Sequence, residues 1–353
     1  MTLILGNEEV EQLLDMRELI PALEESYVEL VEGRGANGPR GDLTTPTALH
    51  PDGLYALKVQ CGVLPKQGVG VVRINSDILV YPETGGGKRR EKLPAVDGRY
   101  VGLLLFFSTE DGAPLMICPD AAMQRLRVGA TNAIAAKYLA PKAPRRAAIL
   151  GSSGQAEAQL LGLDALYPLE DVRVFSPDRA HREAFAARMA AKTGRRVRAC
   201  DSGAEACAGA EIVACATNSL APVFFKDWLA RGMHVSSISS AAAEIDPAAW
   251  SAFDRMAAFN RADYVLTIAT HGLKRADGGG GGGKLPPDLP ILPDIVAGRA
   301  EGRRRDDETT CFFNNLGMGY QFATAGALVY RKARAQGLGR ALPTEWFTET
   351  QAS

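Results

Sequence analysis

The hydrophobic pattern of this chain changes period at Arg145. Beyond it, short apolar runs at 147–150, 171–175, 195–199, 211–216, 233–238 and 263–267 alternate with helical stretches near 155–166, 179–193, 202–208, 224–230 and 246–252. Continuous apolar runs of this length between turn signals read as buried strands, and their regular alternation with helices predicts a parallel, doubly wound sheet. Before Arg145 the order differs. Residues 8–32 carry apolar positions at helical spacing (Val10, Leu13, Leu14, Leu19, Ile20, Leu23, Tyr27, Leu30), with breaks suggested at Asp15 and Pro21. Strands are then expected at 54–63, 69–80, 99–108 and 113–118, the last after the turn signal Asp111-Gly112, giving a mixed sheet with antiparallel hairpins. A helix follows over 120–139, and helix returns over 309–339, after the doubly wound sheet is complete.

The junction between the two patterns carries the first chemistry. Arg145 to Leu163 reads RRAAILGSSGQAEAQLLGL: a buried strand, a tight turn at Gly151-Ser152-Ser153-Gly154, then a helix. That order opens a dinucleotide-binding βαβ unit, in which backbone N–H groups and the positive end of the helix face a pyrophosphate. Gly151 makes the turn and Ala156 takes the small-residue place where helix meets strand. Ser153 replaces the middle glycine of the motif. At the end of the next strand an acidic residue would bond the ribose of NAD; Ser176 stands there instead, with Arg179 and Arg182 beyond. Hydroxyl plus guanidinium suits a 2′-phosphate, so the expected cofactor is NADP, with NAD kept open by Asp178. The alternative for the two arginines is the polar face of the next helix.

Composition narrows the class. The chain has 353 residues, 46% of them apolar, and a net charge of −1, which points to neither nucleic acid nor a membrane surface as partner. The run Arg303-Arg304-Arg305 is answered by Asp306-Asp307-Glu308 and reads as a solvated loop. No apolar run has the length of a membrane span, and no signal-peptide pattern opens the chain. Six scattered cysteines read as reduced thiols of a cytoplasmic protein, and four histidines without ligand spacing predict no metal. Six consecutive glycines, 278–283, read as a mobile surface loop.

Three basic positions in the first part stand out. Lys58 lies in the middle of a strand, so it sits either on an exposed edge or in a pocket against an anion. Arg40 ends the glycine-rich stretch 33–41, where solvation is the common fate of an arginine. Arg127 lies inside the helix 120–139, either pairing with a loop or holding a ligand. Lys88, Arg89, Arg90 and Lys92, with Arg73, hint at a second anionic group, although a solvated loop explains the first four as well.

Several separated stretches carry a family resemblance: RLRVGATNAIAAKYLA (125–140), AILGSSGQAEAQ, GMHVSSI (232–238) and ALVYRKARAQGLG (327–339). In this order they resemble the ornithine cyclodeaminase and mu-crystallin family over roughly residues 40–339. The resemblance implies an α/β fold in which a Rossmann-type doubly wound parallel sheet is inserted into a mixed α/β substrate-binding and dimerisation domain. It implies a substrate-binding and dimerisation part formed by residues 1–124 with 320–353, a nucleotide-binding part at 125–319, and a homodimer. It also implies that Arg40, Lys58 and Arg127 hold a substrate carboxylate, Lys58 doubling as a proton donor, and that the cofactor lies on Gly151, Ser152, Ser153, Gly154, Gln155, Ala156, Ser176, Arg179, Thr217 and Ser237.

One departure from the family bears on activity. Cyclodeaminases carry an aspartate shortly after the strand matching GMHVSSI, where this chain reads Ser239-Ser240-Ala241-Ala242-Ala243-Glu244, with Ala241 at the aspartate's place. Cyclodeamination needs a carboxylate to manage its protons; simple hydride transfer to or from an imine does not. The expected activity is therefore NAD(P)H-dependent reduction of an imino acid, possibly a cyclic ketimine, or oxidation of an amino acid. The alternatives are an ornithine-cyclodeaminase-type ammonia lyase and a weakly catalytic, crystallin-like NADPH-binding protein.

Overall fold

The computed structural model describes residues 1–84, 87–239, 242–261, 266–270 and 285–350. Two large sheets organise them. The first is mixed and ten-stranded. Its centre is an antiparallel run of five strands, Arg40–Thr47, His50–Leu64, Val69–Val80, Val101–Ser108 and Pro114–Pro119, each paired with the next. The strand Thr2–Ile4 adds in parallel beside Pro114–Pro119 and pairs on its other side with the antiparallel strand Arg340–Leu342. The second sheet has seven strands, all parallel, in the order 197–199, 171–175, 146–150, 212–215, 234–237, 310–313, 255–258.

The period-two pattern decides what the mixed sheet buries. Along Val69–Val80 alternate residues are buried, and along His50–Leu64 the residues facing the same way include Ala56, Lys58, Gln60 and Leu64. This inner face is covered by the helix Gly319–Gln336, and the helix Met16–Val31 packs behind it. Asp15 caps the latter by accepting from Arg17 N at 2.6 Å, and the helix continues through Pro21, so only the break at Asp15 forms. The helix Ala121–Leu139 joins the two sheets: Met123, Ala130 and Ile134 pack in the core under the mixed sheet, and Ala136 packs with Ala147 and Ile149 of the parallel one. The position 124/125 thus falls inside one continuous helix.

Three expectations are corrected. Residues 309–339 do not open as helix. Thr310–Phe313 is a fully buried strand that completes the parallel sheet by inserting between 234–237 and 255–258, and the helix starts only at Gly319. The four-residue run TCFF is too short for a helix, and the Asn314-to-Gly317 turn after it separates the two elements. The expected strand 263–267 is not part of the parallel sheet: residues 266–270 pair in parallel with Arg40–Thr44 of the mixed sheet, while 262–265 lie outside the described residues. Arg40 is not in a loop; it opens the strand Arg40–Thr47, whose Gly41–Thr44 register against Ala56–Val59. The glycine run 278–283 lies outside the described residues.

Candidate active site

The mixed sheet's inner face is apolar at one end and polar at the other. Leu64, Val69, Val71, Leu104 and Phe106 pack against the closing helix. A few residues along the same strands stand Lys58, Gln60, Arg73, Asn75 and Asp77, all buried. Strand register lines them up: Asp42 opposite Lys58 opposite Asn75, Gln60 opposite Arg73, and Ala56 opposite Asp77. Buried polar groups persist only when partnered, and these are. Lys58 Nζ donates to Asp77 Oδ2 at 2.7 Å, and Lys92 Nζ approaches the other oxygen of Asp77 at 2.9 Å. Arg73 pairs with Asp120 at 2.8 Å and donates to Gln60 Oε1 at 2.7 Å. Arg40 forms a two-bonded pair with Asp42, at 2.7 and 2.9 Å.

Lys58 therefore takes the pocket and not the edge. Burial pushes its pKa down to about 8 against the attraction of Asp77, with Lys92 and Arg40 adding repulsion. Burial alone would raise the Asp77 carboxyl, but the two lysines together hold it below its ordinary value.

Arg127 projects over this polar floor from the helix Ala121–Leu139 and is 5% exposed. Among the described residues it forms no ion pair. Its guanidinium donates to Gln124 Oε1, one turn back on the same helix, at 2.7 Å and to Gln321 Oε1 at 3.1 Å. The Gln321 amide is fixed in turn, because its NH2 group donates to Tyr27 Oη and Thr131 Oγ1. The ring of Phe322 lies 5.0 Å from the Arg73 guanidinium carbon and 5.2 Å from that of Arg127. Gly317 leaves the room that the guanidinium occupies; a Cβ there would collide with its terminal nitrogens. Burial lowers the Arg127 pKa to about 9, and repulsion from Arg73 and Arg40 adds to this. A buried cation with only neutral acceptors around it is arranged to receive an anion.

The loop Asn314–Met318 links this site to the parallel sheet. It leaves the strand Thr310–Phe313, Asn314 Nδ2 donates to Asn132 Oδ1 at 2.8 Å, and Gly317 O accepts from Gln60 at 2.6 Å. At the same edge of the sheet lies the turn after Arg146–Leu150. Gly151 has φ +128°, and its Cα approaches Ala216 O so closely that no side chain fits. Ser153 is the N-cap of Gly154–Leu166 but makes no side-chain cap bond. Gln155 Oε1 is buried with no partner, and Ala156 is fully buried against the strand. Ser152 Oγ lies 2.9 Å from Ser176 Oγ, so the two serines from neighbouring turns face each other. An uncapped helix start, a close backbone turn and two hydroxyls that bond each other fit a pyrophosphate and ribose.

The remaining cofactor candidates are placed less simply. Arg179 is exposed and pairs with Glu183 one turn on, at 2.7 Å. Arg182 is buried, donates to the carbonyls of Ser176 and Pro177, and pairs with Asp201 at 2.9 Å; it shapes the turn. Asp178 caps its own helix by accepting from His181 N at 2.8 Å. Thr217 and Ser237 both lie at the edge, but their hydroxyls donate to Glu244, at 2.8 and 2.7 Å. Glu244 accepts three backbone N–H groups as well, from Thr217, Ile238 and Ser239. Burial raises its pKa, and these five donors oppose the rise. Ser240 and Ala241 lie outside the described residues.

The basic segment 88–92 is paired rather than a free loop, although Lys88, Arg89 and Lys92 are exposed as expected of a solvated run. Glu91–Leu93 pairs with 78–80, while Arg90 N donates to Asn218 O at 3.2 Å and Leu220 N to Lys88 O at 3.1 Å. It straps the mixed sheet to the loop after the strand Ile212–Cys215 and carries Lys92 to Asp77. Arg303 is likewise structural, donating to the carbonyls of Leu139, Gly232 and Asp306, whereas Arg304 and Arg305 are exposed. No group of three or more His, Cys, Asp or Glu among the described residues is placed to hold a metal. Sequence reasoning named Lys92 only within a basic run and gave no role to Asp77, Asp120, Gln321, Gly317 or Glu244. Only Gln124, three residues before Arg127 on one helix face, left a local signal.

Comparison with known proteins follows the same lines. The model of the "Ornithine cyclodeaminase/mu-crystallin family" matches residues 88–337. The ketimine reductase mu-crystallin of Macropus fuliginosus is 25% identical over 328 residues, covering 92% of this chain and 96% of that protein. The alanine dehydrogenase of Archaeoglobus fulgidus is 27% identical over 353 residues, covering 96% and 97%. The Δ1-pyrroline-2-carboxylate reductase of Thermococcus litoralis, solved with NADH and L-proline, superposes with a TM-score of 0.77 at 24% identity, over 97% of this chain and all of that one. That last likeness is one of fold.

Proposed function

The chain belongs to the ornithine cyclodeaminase/mu-crystallin family, and from that premise we propose that it is an NAD(P)H-dependent oxidoreductase that interconverts a 2-imino acid and an amino acid. The observation that carries this reading is Arg127. It is a buried guanidinium held by two glutamine carbonyls, without an acid of its own among the described residues, above a floor that contains Lys58. A substrate carboxylate completes its coordination. The relatives named ketimine reductase and alanine dehydrogenase, each matched over more than nine-tenths of this chain, support the same reaction class.

In the proposed site the Gly151–Ala156 turn holds the dinucleotide pyrophosphate and Ser152 and Ser176 face the adenosine ribose. When bound, the nicotinamide supplies the hydride that reduces the C=N carbon and is itself oxidised, with one proton added at nitrogen. The chain's own residues orient the imine. Arg127 and Lys58 fix its carboxylate, Arg40 adds positive field, and the buried walls limit access of water. Lys58, whose pKa burial lowers to about 8, supplies the proton in this reading. No acidic side chain fills the ribose position at the end of Asp171–Phe175, because Asp178 is engaged as a helix cap. That favours NADPH over NADH, with the exposed Arg179, three residues beyond Ser176, to meet a 2′-phosphate.

Glu244 does not stand in for the aspartate of the cyclodeaminases, since its two oxygens already accept five hydrogen bonds. A reductase is thus favoured over an ammonia lyase. The working unit in this reading is a cytoplasmic homodimer. Residues 1–124 and 320–353 bind substrate and build the dimer, and 125–319 bind the nucleotide. Leu43, Val63, Val101, Leu103 and Phe107 form the outer, exposed side of the mixed sheet, which suits a second copy. No helix among the described residues is long and apolar enough to cross a membrane. The test is nicotinamide absorbance with 2-imino acids. Oxidation of NADPH supports the reading; ammonia release from ornithine without net nicotinamide change replaces it with the lyase.

A further inference from the structure

The side-chain amide of Gln321 can sit in only one sense, because the protons around it can be counted. Thr131 has one hydroxyl proton, and it goes to Arg127 O, one turn back on the same helix, at 2.7 Å. Thr131 Oγ1 therefore accepts from its two other neighbours, Tyr27 Oη at 2.8 Å and Gln321 Nε2 at 2.7 Å. Tyr27 gives its proton to Thr131, so its oxygen accepts from Gln321 Nε2, at 3.1 Å. Burial pushes the Tyr27 pKa up to about 12, which keeps this phenol protonated at neutral pH.

The consequence falls on the other end of the amide. With its NH2 group facing two acceptors, Gln321 turns Oε1 toward Arg127, where it accepts from Nη1 at 3.1 Å and from Met318 N at 2.9 Å. Turned over, the amide would aim its own N–H groups at those two donors. Gln321, Thr131 and Tyr27 are all fully buried, so water cannot repair a wrong orientation. Three helices build this lock: Met16–Val31 brings Tyr27, Ala121–Leu139 brings Arg127 and Thr131, and Gly319–Gln336 brings Gln321. The guanidinium is thus gripped by a dipole and not by a charge, and its second anchor, Gln124 Oε1, is also an amide oxygen. A carboxylate in the place of either glutamine would neutralise Arg127 and compete with any anionic ligand.

We propose that Gln321 is a positioning residue, locked by Thr131 and Tyr27 as a neutral acceptor that aims Arg127 and leaves its charge to the carboxylate of the substrate. This rests on the reductase reading above and adds to it a residue, remote from the substrate, that sets the preference for carboxylate-bearing imines over neutral ones.

The experiment uses the full chain with NADPH and compares Δ1-pyrroline-2-carboxylate with 1-pyrroline, which lacks the carboxylate. Calorimetric titration of L-proline with NADP+ present runs alongside. In Gln321→Glu the acid-to-neutral ratio of kcat/KM is expected to fall by roughly ten- to a hundredfold, the span of a charge-assisted contact, through KM for the acid more than kcat. In the isosteric Thr131→Val, which frees the amide to turn without adding charge, the ratio should fall by roughly two- to tenfold, the net worth of a neutral hydrogen bond. Thr131→Val carries the test if thermal unfolding shows that Gln321→Glu does not fold. A ratio unchanged in the folded variants, or equal losses with both imines, overturns the positioning role and leaves the reductase reading standing. Equal reduction of the two imines by the unsubstituted enzyme does the same. Absence of turnover with both sinks the reductase reading, and the titration then decides the role of Gln321. Binding of L-proline that a folded variant weakens supports it; equal affinities, or no binding to the unsubstituted protein, overturn it.

Discussion

The guanidinium of Arg127 lies against the Cα of Gly317, in space that any side chain at 317 would occupy. The residue proposed to bind the carboxylate is thus set by a helix of one part of the chain and a loop that leaves the parallel sheet. Gly317→Ala is expected to push the guanidinium off Gln321 and raise KM for the imino acid at least tenfold. NADPH affinity, measured by fluorescence titration, should stay within about twofold, since a typical charged hydrogen bond is worth about 1.5–3 kcal/mol and only the carboxylate contact is lost. Equal weakening of cofactor and substrate would show a general collapse of the loop instead.

Arg127→Ala removes that charge-assisted contact outright. Turnover efficiency should fall by roughly ten- to a hundredfold on the same 1.5–3 kcal/mol scale. Arg127→Lys should recover part of it, because an ammonium is a point charge and lacks the planar fork. Full efficiency in the alanine variant would remove Arg127 from the site.

Lys58 sets a pH dependence. Its pKa is lowered from 10.5 to about 8, so the cation that holds the carboxylate is lost as pH rises through about 8. The kcat/KM for reduction should fall above that pH, and Lys58→Arg should remove this limb. The stability effect has the opposite slope. Between about 8 and 10.5 the unfolded chain keeps a proton that the folded chain has released, so this residue's contribution to stability rises with pH. Lys58→Met should flatten that rise in denaturant titrations.

In the proposed site Gly151 and Ser176 meet the nucleotide. Gly151→Ala forces a side chain into a positive φ and against Ala216 O, a strain of order 1–3 kcal/mol before any clash with phosphate. NADPH binding should be lost or weakened at least tenfold. Ser176→Asp should invert the preference toward NADH, measured as the ratio of the two dissociation constants. A variant that still prefers NADPH would place the 2′-phosphate elsewhere.

The outer sheet face predicts assembly. Leu103 and Phe107 are exposed on one strand, with Leu43 and Val63 on the same side of neighbouring strands. Burying a large apolar side chain stabilises by about 1.5–3 kcal/mol. Leu103→Glu with Phe107→Glu should turn a dimer into a monomer by light scattering. A monomeric unsubstituted protein at micromolar concentration would contradict this.

The parallel sheet was legible because its strands are continuous apolar runs and its helices carry their own caps, as Asp178 and Gly194 do at the two ends of Arg179–Thr193. Its sixth and seventh strands were not. Arg255–Ala258 is four residues long, opens on an arginine and is only half buried, and Thr310–Phe313 precedes a helix whose pattern absorbed it. Lys58 and Arg127 stood out as charges inside apolar elements. Asp77 did not, because its partner lies 19 residues away along the chain, and Lys92 showed only as one of a basic run, without its partner Asp77. Such pairings are made by strand register and leave no local trace. The engagement of Thr217 and Ser237 by Glu244 is of the same kind.

The most direct test of the central claim compares a cyclic 2-imino acid with the same cyclic imine lacking its carboxylate, following NADPH absorbance with the unsubstituted enzyme and with Arg127→Ala. The expected result is reduction of the acid by the unsubstituted enzyme at least tenfold faster than of the neutral imine, with that advantage largely lost in Arg127→Ala. Equal reduction of acid and neutral imine by the unsubstituted enzyme would contradict the account.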